Sequence, residues 1–307
     1  FVIKCSEETP ATAVQLVKCF EDAGVPAGVI NLVFGDPPMI SEHLIAASPI
    51  RMVAFTGSVP VGKLIAQHAA KVMKPCIMEL GGHAPVIVAE DADPVMAAKR
   101  SAFGKFINSG QVCTSPTRFI VHERHHEVFV ETFVEAAKAL KIGDGLDDGV
   151  QMGPLANPRR LDAMERLVQN ALEKGARLAL GGKRMGNQGW FFEPTVLTEV
   201  PLDADIMIEE PFGPVVPIVR FSSLDTALEI ANSTAYGLAA YCFTESAATA
   251  ERITNALEAG ILSVNHTGGS VHEAPSGGVK ESGYGREGGE EGFEAYQIVE
   301  RVSHKFN

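Results

Sequence analysis

Short apolar runs rich in β-branched residues alternate along this chain with longer stretches of helical periodicity. In the first part, strand-like runs occur at VINLVFG, MVAFTG and PCIMEL, with helical patterns between them. After GGHAP the alternation resumes at VIVAE and continues to ILSVN. Repetition of strand, helix and strand predicts βαβ units around mainly parallel sheets. We therefore predict an α/β fold with doubly wound sheets in two domains.

The charge balance limits the classes of partner. Among 307 residues, 26 are basic and 38 acidic, and the net charge of −12 is spread along the chain. This distribution disfavours nucleic acid and anionic membrane surfaces, because both attract basic patches. No stretch approaches the roughly 20 apolar residues that a membrane-spanning helix needs. We expect a small-molecule substrate, no nucleic acid partner and no membrane.

Cysteine usage points to a reducing compartment. The five cysteines are widely spaced and form no CxxC pair and no His/Cys cluster. Neither a disulfide framework nor a zinc site is indicated, so we predict no metal. The expected location is cytoplasmic. No signal-peptide pattern opens the sequence, but residue 1 is Phe, so a targeting segment is not excluded.

One cysteine differs from the others in its surroundings. Cys113, in NSGQVCTSPTR, follows a Gly-Gln pair where a predicted helix gives way to a strand. A tight turn there would direct its sulfur and its backbone N–H into a cleft, as a nucleophilic thiolate requires. A single cysteine is more often an inert core residue. We keep that interpretation for Cys5, Cys19, Cys76 and Cys242.

A lone carboxylate, Glu79, ends an otherwise apolar strand in IMELGG. Charged side chains are rarely buried without a partner or a function. Partial burial would raise the pKa of Glu79 and make it a general base near neutral pH. A structural carboxylate that caps the turn is the alternative.

Two segments have the composition of phosphate- or ribose-binding turns. In FTGSVPVG, Gly57, Ser58 and Gly62 lie at a strand-to-helix junction, where backbone N–H groups and the helix dipole favour a phosphate. Lys4 and Glu7, near the end of the first strand, could bind a phosphate and ribose hydroxyls. Ordinary surface residues at a strand edge would look the same.

A third segment, EEPFGPVVP, combines acidic, aromatic and proline residues. Glu210 and Phe212 in this rigid loop could hold a ribose and one face of a ring. A tight structural turn is the alternative.

Together these segments resemble the aldehyde dehydrogenase superfamily from the first residue to the last. Seven motifs carry the likeness: KCSEETP, FTGSVPVG, MELGGHAP, FINSGQVC, EEPFGPV, YGLAAYCFT and GGVKESGYGREGG. The resemblance implies an aldehyde substrate, with Cys113 as nucleophile and Glu79 as the base that activates the deacylating water. It also implies nicotinamide dinucleotide contacts at Lys4, Glu7, Gly57, Ser58, Gly62, Leu80, Glu210 and Phe212.

The resemblance further divides the chain into three parts. We assign residues 1–81 to the remaining part of a Rossmann-like dinucleotide-binding domain, 82–281 to a catalytic thiol domain, and 282–307 to a C-terminal return segment with an oligomerisation strand. A homodimer or homotetramer is implied. The family takes an oxyanion-hole asparagine from a front portion that this chain lacks, so we expect the 307-residue stretch alone to be impaired.

The substrate and cofactor are less constrained. EAPSGGVKESGYGREGG is most similar to the succinate-semialdehyde branch, which favours a semialdehyde. Ile107, however, stands six residues before Cys113, where carboxylate-binding members often carry Arg. Glu7 favours NAD over NADP, because a carboxylate repels a 2′-phosphate. A CoA-acylating relative and a truncated, non-catalytic subunit are the alternative functions.

Overall fold

The computed structural model describes residues 1–268 and 271–306. Within them two compact units are distinguished, one of Phe1–Ala54 and Pro60–Cys76, the other of Phe55–Val59 and the chain from Ile77 onward. The first unit contains a parallel pair of strands and two complete helices: β1 (Val2–Lys4), α1 (Pro10–Asp22), β2 (Asn31–Val33) and α2 (Pro37–Ala46). Strand β3 (Val53–Thr56) and helix α3 (Val59–Ala70) each contribute residues to both units. The three-part division predicted from the sequence remains a prediction.

Several helices begin at a capping side chain. The Asp36 side chain accepts from the Met39 N–H at the start of α2. At α1, Thr9 occupies the predicted N-cap position and Pro10 the first helical position, but the Thr9 side chain makes no capping hydrogen bond. That start is therefore set by the fixed φ of proline.

The second unit is built on a seven-stranded sheet. Its strand order is β11-β10-β5-β6-β9-β8-β7, and every neighbouring pair is parallel except β7 with β8. The strands are β5 (Ala84–Val88), β6 (Pro116–His122), β7 (Arg177–Leu180), β8 (Thr195–Thr198), β9 (Val215–Phe221), β10 (Ala239–Phe243) and β11 (Ile261–Val264). A smaller sheet has the order β12-β4-β3, with β4 (Cys76–Glu79) and β12 (Gly283–Tyr284) antiparallel. The predicted parallel α/β architecture is confirmed.

Each face of the seven-stranded sheet has its own hydrophobic core. Val86 and Phe119 point into one core, whereas Ile87 and Ile120 point into the other. Every residue of β5 and β6 is buried, and β5 accordingly reads as a continuous apolar run. One core is covered by α4 (Pro94–Phe106) and α5 (His126–Lys138). The other is covered by α6 (Pro158–Glu173), α8 (Leu224–Asn232) and α9 (Ala247–Ala256), and a short helix, α7 (Asp205–Ile208), also contributes to it.

Four segments enter this sheet at the same edge. Residues 81–83 precede β5, 111–115 precede β6, 209–214 precede β9 and 236–238 precede β10. These four strands are parallel neighbours, so they begin at one edge and their entry segments lie together. Ligands in open parallel sheets more often lie at the opposite, carboxyl edge.

The C-terminal segment contains one short helix, α10 (Glu291–Glu294), and no strand over residues 295–306. A strand was predicted here, and a strand requires a hydrogen-bonding partner. Pairing of this segment with another subunit remains a prediction.

Within residues 1–268 and 271–306, none of the helices combines the length and hydrophobicity needed to span a bilayer. The same residues contain no group of three or more His, Cys, Asp or Glu side chains arranged to hold a metal ion.

Candidate active site

The loop that carries Cys113 is held in an unusual backbone conformation. Asn108, Ser109 and Gly110 have consecutive positive φ angles of 49°, 57° and 73°. Side chains sustain this turn, because the Asn108 amide donates to the Gln111 carbonyl (3.0 Å) and the Gln111 amide donates back to the Asn108 carbonyl (3.1 Å). Left-handed non-glycine residues are strained and concentrate at functional sites.

Further hydrogen bonds fix the residues on either side of Cys113. The Ser115 N–H donates to the Val112 carbonyl (2.9 Å), which closes a turn around the cysteine. The Tyr241 hydroxyl donates to the Thr114 carbonyl (2.5 Å). The cysteine is thereby held half-buried at the entry to β6, as the sequence predicted.

The Cys113 thiol lies near two carboxyl groups. Burial, followed by the negative charge of Glu210, raises its pKa, and Glu79 adds to the increase. The backbone N–H groups of Thr114 and of Cys113 itself act in the opposite direction. The thiol is therefore protonated at neutral pH in this state, and a reaction that uses the thiolate needs a nearby base.

Glu79 is the last residue of β4 and is half-buried. Burial raises its pKa to about 7, and the neighbouring Glu287 carboxylate also raises the pKa while Arg286 lowers it. Its Oε1 atom is buried and has no hydrogen-bond partner among the described residues. A carboxyl group with these properties can take up or release a proton near neutral pH.

The chain after Glu79 runs very close to the Cys113 backbone. A Cβ atom added to Gly82 would lie 2.4 Å from the Cys113 carbonyl oxygen and 3.2 Å from the Leu238 Cβ. Only glycine fits between these two segments. Gly82 therefore sets the spacing between the Glu79 segment and the Cys113 loop.

Replacing Gly82 with alanine is expected to destabilise the fold by about 1–3 kcal/mol, because the added methyl group overlaps a backbone oxygen that cannot rotate away. Urea denaturation of the variant measures the effect. Gly145→Ala is the matched control, since a Cβ atom there would meet nothing within 4 Å. Equal stabilities of the two variants would contradict the close approach.

Glu210 and Phe212 lie in the segment that enters β9. The Glu210 Oε1 accepts from the Gly82 N–H (3.0 Å), which joins this segment to the Glu79 segment. Burial raises the pKa of Glu210 to about 7. Phe212 is half-buried and has a φ of 45°. Both predicted residues thus lie at the same sheet edge as Cys113.

The other predicted dinucleotide contacts are distributed over the two units. Lys4 and Glu7, in the first unit, form an ion pair of 2.7 Å with each other. Gly57 and Ser58 are exposed residues of the second unit, and the Gly57 N–H donates to the Glu79 carbonyl (3.1 Å). Of the remaining two, Gly62 is buried in α3 and Leu80 is buried after β4.

Sequence reasoning missed Lys105, which is fully buried at the end of α4. Burial lowers the pKa of its ammonium group to about 7, and the charge of Glu210 opposes the shift. The signal was its position on the apolar side of the helix, four residues after the equally buried Ser101. A lysine on the face of α4 that is otherwise buried indicates a charged side chain in the interior.

A cavity of about 520 Å³ borders the Cys113 loop. Val112 and Thr114, on either side of the cysteine, line it together with the apolar Phe103 and Ile107. Its remaining lining includes three side chains that carry or can acquire positive charge: Lys99, Arg100 and His266.

The fold agrees with the comparisons. Residues 1–302 match the aldehyde dehydrogenase family, and this chain belongs to that family. It is 47% identical over 295 residues to the putative 4-(hydroxymethyl)benzenesulfonate dehydrogenase TsaD2 of Comamonas testosteroni, covering 96% of this chain and 61% of that protein. It is 40% identical over 295 residues to the succinate-semialdehyde dehydrogenase [NADP(+)] GabD of Escherichia coli strain K12, with the same coverage.

A solved structure gives the same result. The crystal structure of succinate-semialdehyde dehydrogenase from Burkholderia pseudomallei superposes with a TM-score of 0.94 at 41% identity, covering 96% of this chain and 61% of that one. The predicted superfamily and branch are confirmed. The chain spans about three fifths of the length of the relatives it matches.

Proposed function

We propose that the protein containing this chain oxidises an aldehyde to a carboxylic acid, with NAD as hydride acceptor and NADP as the second candidate. The observation that carries the proposal is the pairing of a thiol and a carboxyl group at one site. Cys113 is half-buried in a strained loop, and the charge of Glu79 raises the pKa of its thiol. The segment that follows Glu79 runs close to the backbone of that loop at Gly82.

In the first step the Cys113 thiol passes its proton to a water molecule, and the sulfur attacks the aldehyde carbon to form a thiohemiacetal. The Cys113 N–H, which lowers the pKa of the thiol, can donate to the developing oxyanion. A bound nicotinamide would accept the hydride that leaves this adduct, so that a thioester remains on Cys113.

Glu79 serves the second step. With a pKa of about 7 it is partly ionised at neutral pH and can remove a proton from water. The resulting hydroxide attacks the thioester carbon, the C–S bond breaks, and the acid leaves as Cys113 regains its thiol. A relative that transfers the acyl group to CoA would have no use for such a base.

The residues present fit a dinucleotide. The Glu210 Oε1 accepts from the Gly82 N–H, and a carboxylate has further acceptor capacity for ribose hydroxyls. Phe212 would flank a ring, and the Gly57 and Ser58 turn, directly before α3, would face a phosphate. Lys4, Glu7, Gly62 and Leu80 are the other proposed contacts.

The test is aldehyde-dependent formation of reduced nicotinamide by the full-length protein. Formation of the free acid supports the proposal. Formation of acyl-CoA in the presence of CoA would favour the acylating alternative, and dinucleotide binding without turnover would favour a non-catalytic subunit.

We further propose that the aldehyde carries an anionic group. The cavity beside Cys113 is lined by Lys99, Arg100 and His266, and two of the matched relatives are named for a sulfonate and for succinate semialdehyde. Ile107 stands at the position where carboxylate-binding members of the branch often carry arginine, and it lines the same cavity as an apolar residue. The positive charge lies instead about two helical turns earlier, at Lys99 and Arg100 in α4.

Replacing Arg100 with methionine is expected to raise the KM for an acidic aldehyde roughly tenfold, because a charge-assisted contact is lost. The KM for a neutral aldehyde of similar size should not change. Arg252→Met is the matched control, since Arg252 lies on α9 in an exposed ion pair with Asp225. Equal effects of Arg100→Met on both aldehydes would contradict an anion site.

The quaternary state and location are also proposals. We expect a homodimer or homotetramer in the cytoplasm. Exposed apolar side chains in the C-terminal segment support association, among them Ile298 (78% exposed), Val299 (96%) and Phe306 (91%).

A further inference from the structure

Lys105 is a charged residue to which the proposed reaction gives no function. It is 0% exposed, and its Nζ has no hydrogen-bond partner among the described residues. An unpaired buried ammonium group is costly, so its retention in a packed position requires a compensating interaction. Its pKa of about 7 leaves the amine partly neutral at neutral pH, and the charge of Glu210 favours the ammonium form.

The Nζ atom lies where two segments of the site meet. A Cβ atom on Gly110 would be 3.3 Å from the Lys105 Nζ and 2.4 Å from the Gly213 carbonyl oxygen. Gly110 belongs to the Cys113 loop, and Gly213 follows the Glu210 segment. The ammonium is thus enclosed by the thiol loop and the Glu210 loop, away from water.

Glu210 is the anion that interacts with Lys105. Burial raises the pKa of Glu210 to about 7, whereas the Gly82 N–H, then Arg160 and then Lys105 lower it. Arg160 also donates to the Pro211 carbonyl (3.2 Å) from α6. Of the two cations Lys105 is the fully buried one, so solvent screens its charge less.

Three other titratable groups face the pair. Burial, then Arg118 and then Lys105 lower the pKa of His83, so this imidazole is neutral near pH 7. For Cys113 and Tyr236, burial followed by the Glu210 charge raises the pKa of each side chain. None of these three supplies a second buried cation near Glu210 at neutral pH.

We propose that Lys105 is a positioning residue that acts through Glu210: its ammonium keeps the Glu210 carboxylate ionised and ready to accept hydrogen bonds from a bound dinucleotide. This inference rests on the proposed function, which makes Glu210 a dinucleotide contact. Without Lys105, protonation of Glu210 occurs at higher pH. Dinucleotide binding should then be lost at neutral pH and return as the pH rises.

The test is a titration of the full-length protein with NAD, in which the Kd is measured by fluorescence from about pH 6 to 9. Lys105→Met is expected to weaken NAD binding roughly tenfold at pH 7 and to approach wild-type affinity at the alkaline end. In a Glu210→Gln background the same substitution should have no further effect on the pH profile. Lys138→Met, an exposed lysine on α5, is the control for net charge.

A second readout needs no dinucleotide. The urea midpoints of wild type, Lys105→Met, Glu210→Gln and the double variant form a cycle, and the two substitutions are expected to be strongly non-additive. Additive midpoints would overturn the pairing. Non-additive midpoints with an unchanged NAD pH profile would overturn the positioning role. A wild type that binds neither NAD nor NADP would refute the proposed function, and with it the role of Lys105 in binding.

Discussion

Replacing Cys113 with alanine is expected to reduce aldehyde oxidation by the full-length protein about 10⁴-fold or more, because no other group can form the covalent adduct. The sulfur is held by a strained loop at the entry to a central strand, and each neighbour of that loop is fixed by hydrogen bonds. Reduced-nicotinamide formation under saturating aldehyde measures the loss. NAD binding should be retained, since the substitution removes one sulfur atom.

Cys19→Ala is the matched control for this experiment. Cys19 is exposed on α1 in the other compact unit, so its removal should leave the rate unchanged. Substantial residual turnover by Cys113→Ala, or an equal loss in both variants, would show that the thiol has no special role.

Replacing Glu79 with glutamine is expected to slow steady-state turnover about 10²–10⁴-fold, which is the usual contribution of a general base. The reason is specific to hydrolysis, since the amide cannot remove a proton from water. A rapid initial release of reduced nicotinamide, about one equivalent per site, should persist because thioester formation precedes the affected step. Pre-steady-state kinetics separate the two phases.

The pH profile provides a second sign of the same role. The ionised form of Glu79 is the active base, and its pKa of about 7 places the change near neutrality. Wild-type turnover should therefore fall as the pH decreases through about 7, and Glu79→Gln should lack this dependence. If Glu79→Gln shows the same fall in turnover at low pH as the wild type, the titrating group is not Glu79.

Much of the fold could be predicted from the sequence because its determinants are local. A continuous apolar run marked β5, and prolines and aspartates marked helix starts such as that of α4 at Asp93 and Pro94. Cys113 and Glu79 could be selected because each departs from its surroundings, a thiol in a turn and a carboxylate ending an apolar strand.

What could not be predicted depends on contacts between distant segments. Gly82 and Cys113 approach because their segments enter adjacent parallel strands, and the edge involved is not the one where ligands usually lie in such sheets. The burial of Lys105 beside Glu210 likewise depends on how α4 packs against the sheet. The predicted strand in the C-terminal segment would require a hydrogen-bonding partner, and its pairing with another subunit stays a prediction.

The most direct test of the account is to identify the atom that carries the acyl group. The Glu79→Gln variant is mixed with aldehyde and NAD, quenched in acid, digested and analysed by peptide mass spectrometry. The account predicts an added mass equal to the acyl group on the peptide that contains Cys113. Turnover with an unmodified Cys113, or an acyl adduct on a different residue, would contradict it.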